Sequence, residues 1–214
     1  LCTSGTRRFD AECFYGFCFW EVVDFSITKI NENSNYNPNA CCSNYNLTLT
    51  QQNFLPTNLQ AVKKLVYDSN GFVITHLKVD TESIAYDACT FSLDNLLIIH
   101  RTSKITPTKS GQFVTLWKRN NEGITIPFDS KDPFDFIVIT SKNDYQLGQF
   151  IFPKSVLINK GIISHNGKSG KRGIRIYPPW TLTSNKQATI TQQWQANYFL
   201  PIEQRKTNFD LTKK

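Results

Sequence analysis

The 214 residues are enough for one or two domains with a sizeable buried core, and a composition of 40% hydrophobic, 13% aromatic and 19% charged residues is that of a folding globular chain. These values exclude collagen-like, disulfide-knot and wholly disordered chains, and no stretch approaches the about eighteen consecutive apolar residues of a transmembrane helix. The formal net charge of +7 points toward anionic partners.

That charge is unevenly placed. Residues 1–95 carry 6 basic and 10 acidic side chains, 96–119 carry 5 and 0, 120–149 carry 2 and 5, and 150–214 carry 11 and 2. Two basic segments flank an acidic one. If they converge in space they make a face for a polyanion such as nucleic acid; otherwise they are an ordinary solvated surface.

Five of the six cysteines (2, 13, 18, 41 and 42) precede residue 43, and the sixth is Cys89. Cys41 and Cys42 are adjacent rather than spaced as a metal pair, and no His lies near, so a zinc site is not expected and the thiols read as free and cytosolic. The chain has no Met, which reads as a processed or truncated product or a start that is not an initiation site. Residues 1–53 combine an aromatic run, Phe14 to Trp20, with an Asn-rich stretch, Asn31 to Asn46. They read as an extension or linker outside a domain spanning 54–214.

From residue 54 the pattern becomes regular. Pro56 suits a helix start, Leu59, Val62 and Val66 recur at helical spacing, and Gly71 supplies the stop. Extended segments follow at 72–79, 86–93, 96–101, 111–118, 134–140 and 149–152, separated by turn residues such as Asp94-Asn95. A short helix is expected at 154–160, a strand at 174–177, and a helix at 185–199 whose stripe is Ile190, Trp194 and Tyr198. The class is α+β (mixed α/β), a central mixed sheet flanked by helices.

Several segments resemble the MepB-like protein family. They are Tyr86-Asp87-Ala88-Cys89-Thr90-Phe91, Lys104 to Lys109, Gly111 to Arg119, Gly148 to Lys154, Gly170 to Trp180, and Gln192 to Gln195 with Tyr198-Phe199, all in the family's order. The resemblance covers about residues 54–214. It implies a restriction-endonuclease-like fold and nucleic acid (DNA or RNA) as ligand, in a family named from a bacterial multidrug-efflux gene cluster and of unestablished role; the location read from the free thiols is cytoplasmic.

A metal-dependent nuclease of that fold needs two or three carboxylates on Mg²⁺ and a Lys two positions after an acidic residue on one strand. That spacing is broken here, since Leu116 precedes Lys118 and Thr102 precedes Lys104. Glu82, Asp87 and Asp94 remain as candidate ligands with Lys104 as candidate base; their plainer reading is turn and cap carboxylates. No resident metal or cofactor is expected, Mg²⁺ entering only if the chain is a nuclease. The three histidines, His76, His100 and His165, read as isolated, and no nucleophile-elbow or P-loop sequence is present.

The Gly-rich basic segment 161–173, with Lys168, Lys171, Arg172 and the following Arg175, is the first candidate for phosphate contact through both cations and backbone amides. Arg101, Lys104, Lys109, Lys118 and Arg119 form the expected second bank. Trp117 and Trp194 read as core, whereas Trp180, behind two prolines, reads either as a surface aromatic for base stacking or as a core cover. The leading expectation is a nucleic-acid-binding domain with a degenerate or absent metal site. The alternatives are an atypical Mg²⁺ nuclease and a basic protein-interaction module.

Overall fold

A computed structural model describes residues 55–202; the aromatic and Asn-rich segments and five of the cysteines lie outside the described residues. Helix α1 (Thr57–Val62) starts behind Pro56 and continues through a π-helical turn (Lys63–Tyr67) and a 3₁₀ turn (Asp68–Asn70) to Gly71, whose φ of 78° closes it. The π turn adds a residue to the helical repeat, so the buried face passes from Leu59 and Val62 to Tyr67 rather than to the expected Val66.

The main sheet has six strands in the order β1-β2-β3-β8-β9-β11. β1 (Ile74–Val79), β2 (Cys89–Leu93) and β3 (Leu96–Thr102) form an antiparallel meander, β8 (Phe136–Lys142) joins β3 in parallel, and β9 (Leu147–Pro153) and β11 (Phe199–Ile202) continue antiparallel. The expected mixed α+β class is what the chain adopts. The β2–β3 turn uses Asp94 (φ 45°) and Asn95 (φ 72°), the left-handed pair that a tight two-residue hairpin requires.

A smaller sheet, ordered β10-β5-β4, joins β4 (Lys104–Ile105), β5 (Gln112–Thr115) and β10 (Gly173–Ile176), while β6 (Trp117–Arg119) pairs with β7 (Thr125–Pro127) as a hairpin. The expected single strand over 111–118 is therefore two. After Thr115 the chain leaves its sheet, with the Leu116 amide still donating to the Arg172 carbonyl at 2.9 Å.

One face of the main sheet supplies Ile99, Ile137, Ile139, Phe150 and Phe152 to a core closed by Val114, Leu116, Phe128, Leu157 and Ile176 from the smaller sheet, its loops and helix α2 (Lys154–Asn159). Helix α3 (Lys186–Ala196) packs on the same core through Trp194, whose ring centroid lies 5.5 Å from that of Phe152. Ile190 is 54% exposed, so the expected 190/194/198 stripe is not the buried one; Ala188 and Gln195 are the residues that α3 buries. The Gln195 amide is engaged at both its oxygen and its nitrogen, accepting from the Tyr177 amide and donating to the Arg175 carbonyl.

The opposite face carries a buried polar chain. The Tyr67 hydroxyl donates to Gln149 Oε1 (3.0 Å), the Gln149 amide to Thr140 Oγ1 (3.0 Å), the Thr140 hydroxyl to His100 Nε2 (2.9 Å), and His100 Nδ1 to the Asp87 carbonyl (3.1 Å). A carbonyl can only accept, so the proton of the neutral ring sits on Nδ1 and every link has one direction. The Asp87 carboxylate accepts from Asn58 on α1 at 2.6 Å, which ties both ends of the chain to the helical segment.

Candidate functional site

Burial alternates without a break from Gln112 to Trp117. Gln112, Val114 and Leu116 are buried, and Phe113, Thr115 and Trp117 are half-buried on the outward side. The strand register then sets cations beside these residues. Phe113 lies opposite Lys104 on β4 and opposite Arg175 on β10, so Lys104, Phe113 and Arg175 form one row across the smaller sheet. Gly173 faces Thr115; a Cβ there would lie 2.7 Å from the Phe113 ring, so its absence leaves room for that ring.

Two further aromatics belong to this face. Tyr86 meets Phe113 edge-on at 6.5 Å, with Lys104 Nζ 4.8 Å from the Tyr86 ring centroid, and Arg119 lies 5.7 Å over Trp117. Trp117, expected in the core, stays out of it because it falls on the outward phase of the alternation. An open depression of about 350 Å³, lined by Lys118, Arg119, Asn120, Asn121, Glu122 and Ile126, continues the surface along the β6–β7 hairpin.

The cations are not equivalent. Arg175 donates through Nη1 to the carbonyls of Lys109, Ser110 and Gly111 (3.0–3.3 Å) and through Nη2 to Thr106 Oγ1 (3.0 Å). Its guanidinium is thereby committed to holding the loop that carries Lys109. Arg119 makes a two-oxygen contact with Glu82 (2.6 and 2.8 Å) and also donates to the Gly123 carbonyl. Lys118, on the opposite phase of its strand, is paired with Asp132. Lys104, Lys109, Lys168, Lys171 and Arg172 are exposed and make no ion pair among the described residues.

The segment 161–173 departs from the expected phosphate-cradling loop. Ile162 and Ile163 are buried, the Ser164 amide donates to the Phe128 carbonyl, and His165 and Lys168 exchange backbone bonds around Asn166 and Gly167 in a left-handed turn. The Gly170 and Lys171 amides are spent on Ser164 Oγ and the Ile162 carbonyl. A Cβ at Gly170 would come within 2.6 Å of the Ile162–Ser164 backbone, so the loop closes tightly on itself. Its Lys168, Lys171 and Arg172 side chains remain exposed.

Arg101 does not belong to the surface bank. It is 3% exposed beneath Phe128, with Nη1 on the His100 carbonyl, Nη2 3.4 Å from Asp80, and Nε without a partner among the described residues. Burial pulls its pKa below the usual guanidinium range and Asp80 opposes that shift. Trp180 is likewise a cover, meeting Phe199 edge-on at 5.3 Å.

The candidate carboxylates are dispersed. Asp87 precedes β2 and Asp94 follows it, roughly 20 Å apart at about 3.3 Å per residue. Glu82 is held by Arg119, and Asp94 accepts from the Val73 amide at 3.0 Å. Among the described residues no three His, Cys, Asp or Glu side chains are grouped so as to hold a metal ion. No helix of the described residues is long and apolar enough to cross a membrane.

Comparison with known proteins agrees with the residue pattern. The family model described as MepB-like matches residues 80–201. The crystal structure of MepB is 31% identical and superposes with a TM-score of 0.61, covering 70% of this chain and 99% of that one. A bacterial homing endonuclease, I-Ssp6803I, is 16% identical with a TM-score of 0.37, covering 71% and 93%, a likeness too slight to carry an argument. No curated protein matches.

Proposed function

The chain belongs to the MepB-like family, and from that premise we propose that it binds nucleic acid on the outward face of its smaller sheet. The observation that carries this reading is the row Lys104–Phe113–Arg175, together with the exposed Lys171 and Arg172 that immediately precede β10, the Arg172 carbonyl bonding the Leu116 amide. Lysines and arginines neutralise phosphates and release counterions, a contribution that needs no sequence preference. Lys104, Lys109, Lys168, Lys171 and Arg172 supply that charge. Arg175 is a positioning residue for Lys109, and Arg119 contributes when Glu82 yields it.

Binding without cleavage is the mode the carboxylates favour. Asp80 and Glu82 already face Arg101 and Arg119, and Asp87 and Asp94 hold backbone and helix at opposite ends of β2. The test is a titration of the protein against labelled single- and double-stranded DNA and RNA at two salt concentrations, with EDTA and then Mg²⁺. Salt-sensitive binding with intact oligonucleotides is expected. Mg²⁺-dependent fragments would make the protein an enzyme, and a failure to bind at either salt would return the basic face to the reading of a protein-interaction surface.

A further inference from the structure

Charge alone does not account for the outward face. Phe113 and Trp117 stand on it without joining the core cluster, whereas Tyr86, Trp194, Tyr198 and Phe199 all pack against that cluster. Phe113 on β5 and Trp117 on β6 are both half-buried on the outward side of the burial alternation and stand four residues apart, at most roughly 13 Å of chain. Each has cations beside it, Lys104 and Arg175 across the strands from Phe113 and Arg119 over Trp117. The half-buried Thr115 lies between them opposite Gly173, over which the Phe113 ring packs, and the Thr115 hydroxyl oxygen is buried.

Half-buried rings on two consecutive strands, with cations set beside each, match one class of polyanion. A duplex keeps its bases stacked inside and offers phosphates and groove edges, for which Phe113 and Trp117 have no use. A single strand offers base faces to rings and phosphates to cations at the same time. We propose, resting on the nucleic-acid reading above, that the ligand is single-stranded, with bases stacking on Phe113 and Trp117 and phosphates held by Lys104, Lys171 and Arg172. Stacking tolerates any base, so the site discriminates strandedness rather than sequence.

The experiment compares fluorescein-labelled oligothymidylate, oligouridylate and a duplex of the same length on the full chain and on Phe113→Ala, Trp117→Ala and Trp117→Phe. The proposal expects single strands to bind more tightly than duplex. Each alanine variant should weaken single-strand binding roughly tenfold or more with an unchanged salt slope. Trp117→Phe keeps a ring and should retain most affinity while abolishing ligand-induced quenching of the protein's tryptophan emission; circular dichroism checks that each variant is folded. Equal duplex affinity, or full single-strand affinity in folded Trp117→Ala, overturns the stacking site and leaves the nucleic-acid reading standing. Absence of salt-sensitive binding to every oligonucleotide overturns both.

Discussion

The Thr140 hydroxyl donates to Nε2 of His100 across 2.9 Å, joining two strands that are parallel neighbours in the main sheet but 40 residues apart in sequence. With His100 Nδ1 donating to the Asp87 carbonyl, both ring nitrogens are satisfied in the neutral form, and a proton on Nε2 would meet the hydroxyl that donates to it.

Acid should therefore destabilise the fold through His100. Burial lowers its pKa from 6.5 to about 4, so between those values the unfolded chain binds a proton that the folded one refuses. Stability falls as pH drops through 6.5 and the full loss, about 3 kcal/mol, is reached near pH 4. Urea unfolding at pH 7 and pH 4.5 should show this loss in the protein and a smaller one in His100→Asn. Identical pH dependence in the two would remove His100 as its source.

Cys89 should be inert in the native state. Burial pushes its thiol up to about 12, with Arg101 opposing the shift, and its Sγ lies 3.7 Å from His100 Nδ1. Thiolate is the reactive form, so alkylation followed by peptide mass spectrometry should leave Cys89 unmodified until the protein is unfolded in urea. Rapid native labelling would contradict the packing of β2 on β3.

Gly148 faces Pro201 in the β9–β11 pairing, and a Cβ there would collide with the Phe199 ring and meet the Leu200 carbonyl at 2.8 Å. Gly148→Ala should cost about 1–3 kcal/mol by forcing β11 away, measured as a lower urea midpoint. An unchanged midpoint would mean that β11 does not dock as described.

Much of this architecture was legible in the residues. The alternation in β2, the hairpin residues Asp94-Asn95 and the left-handed Gly71 each have a local cause. The unread strands are those without local signal. β4 has two residues, and β11 contains Pro201, which only an edge strand tolerates and which therefore depends on the neighbour that the chain finds late. His100 looked isolated for the same reason, because Thr140 and Gln149 come to it through strand pairing rather than sequence spacing. The basic segment 161–173 was visible as charge, but the inward turn of the Ser164 amide and carbonyl depends on Phe128 and Ser130.

Arg175 tests the positioning role. Its Nη1 reaches the carbonyls of residues 109–111 while its Nη2 holds Thr106, a rigid two-nitrogen fork that lysine lacks, so Arg175→Lys should free residues 106–111 although the charge is kept. Hydrogen exchange at those amides should rise in both Arg175→Lys and Arg175→Ala. Full protection in the lysine variant would show that charge alone holds the loop.

The central claim is that exposed cations of the smaller sheet hold phosphates, and the salt dependence of binding reads it directly. The affinity of the protein and of the double variant Lys171→Ala/Arg172→Ala for one labelled single strand should be measured across a salt series. Each lost phosphate contact lowers the slope of log affinity against log salt by about 0.7, so the variant's slope should be shallower by about 1.4. Equal slopes and equal affinities in the two proteins would contradict the account.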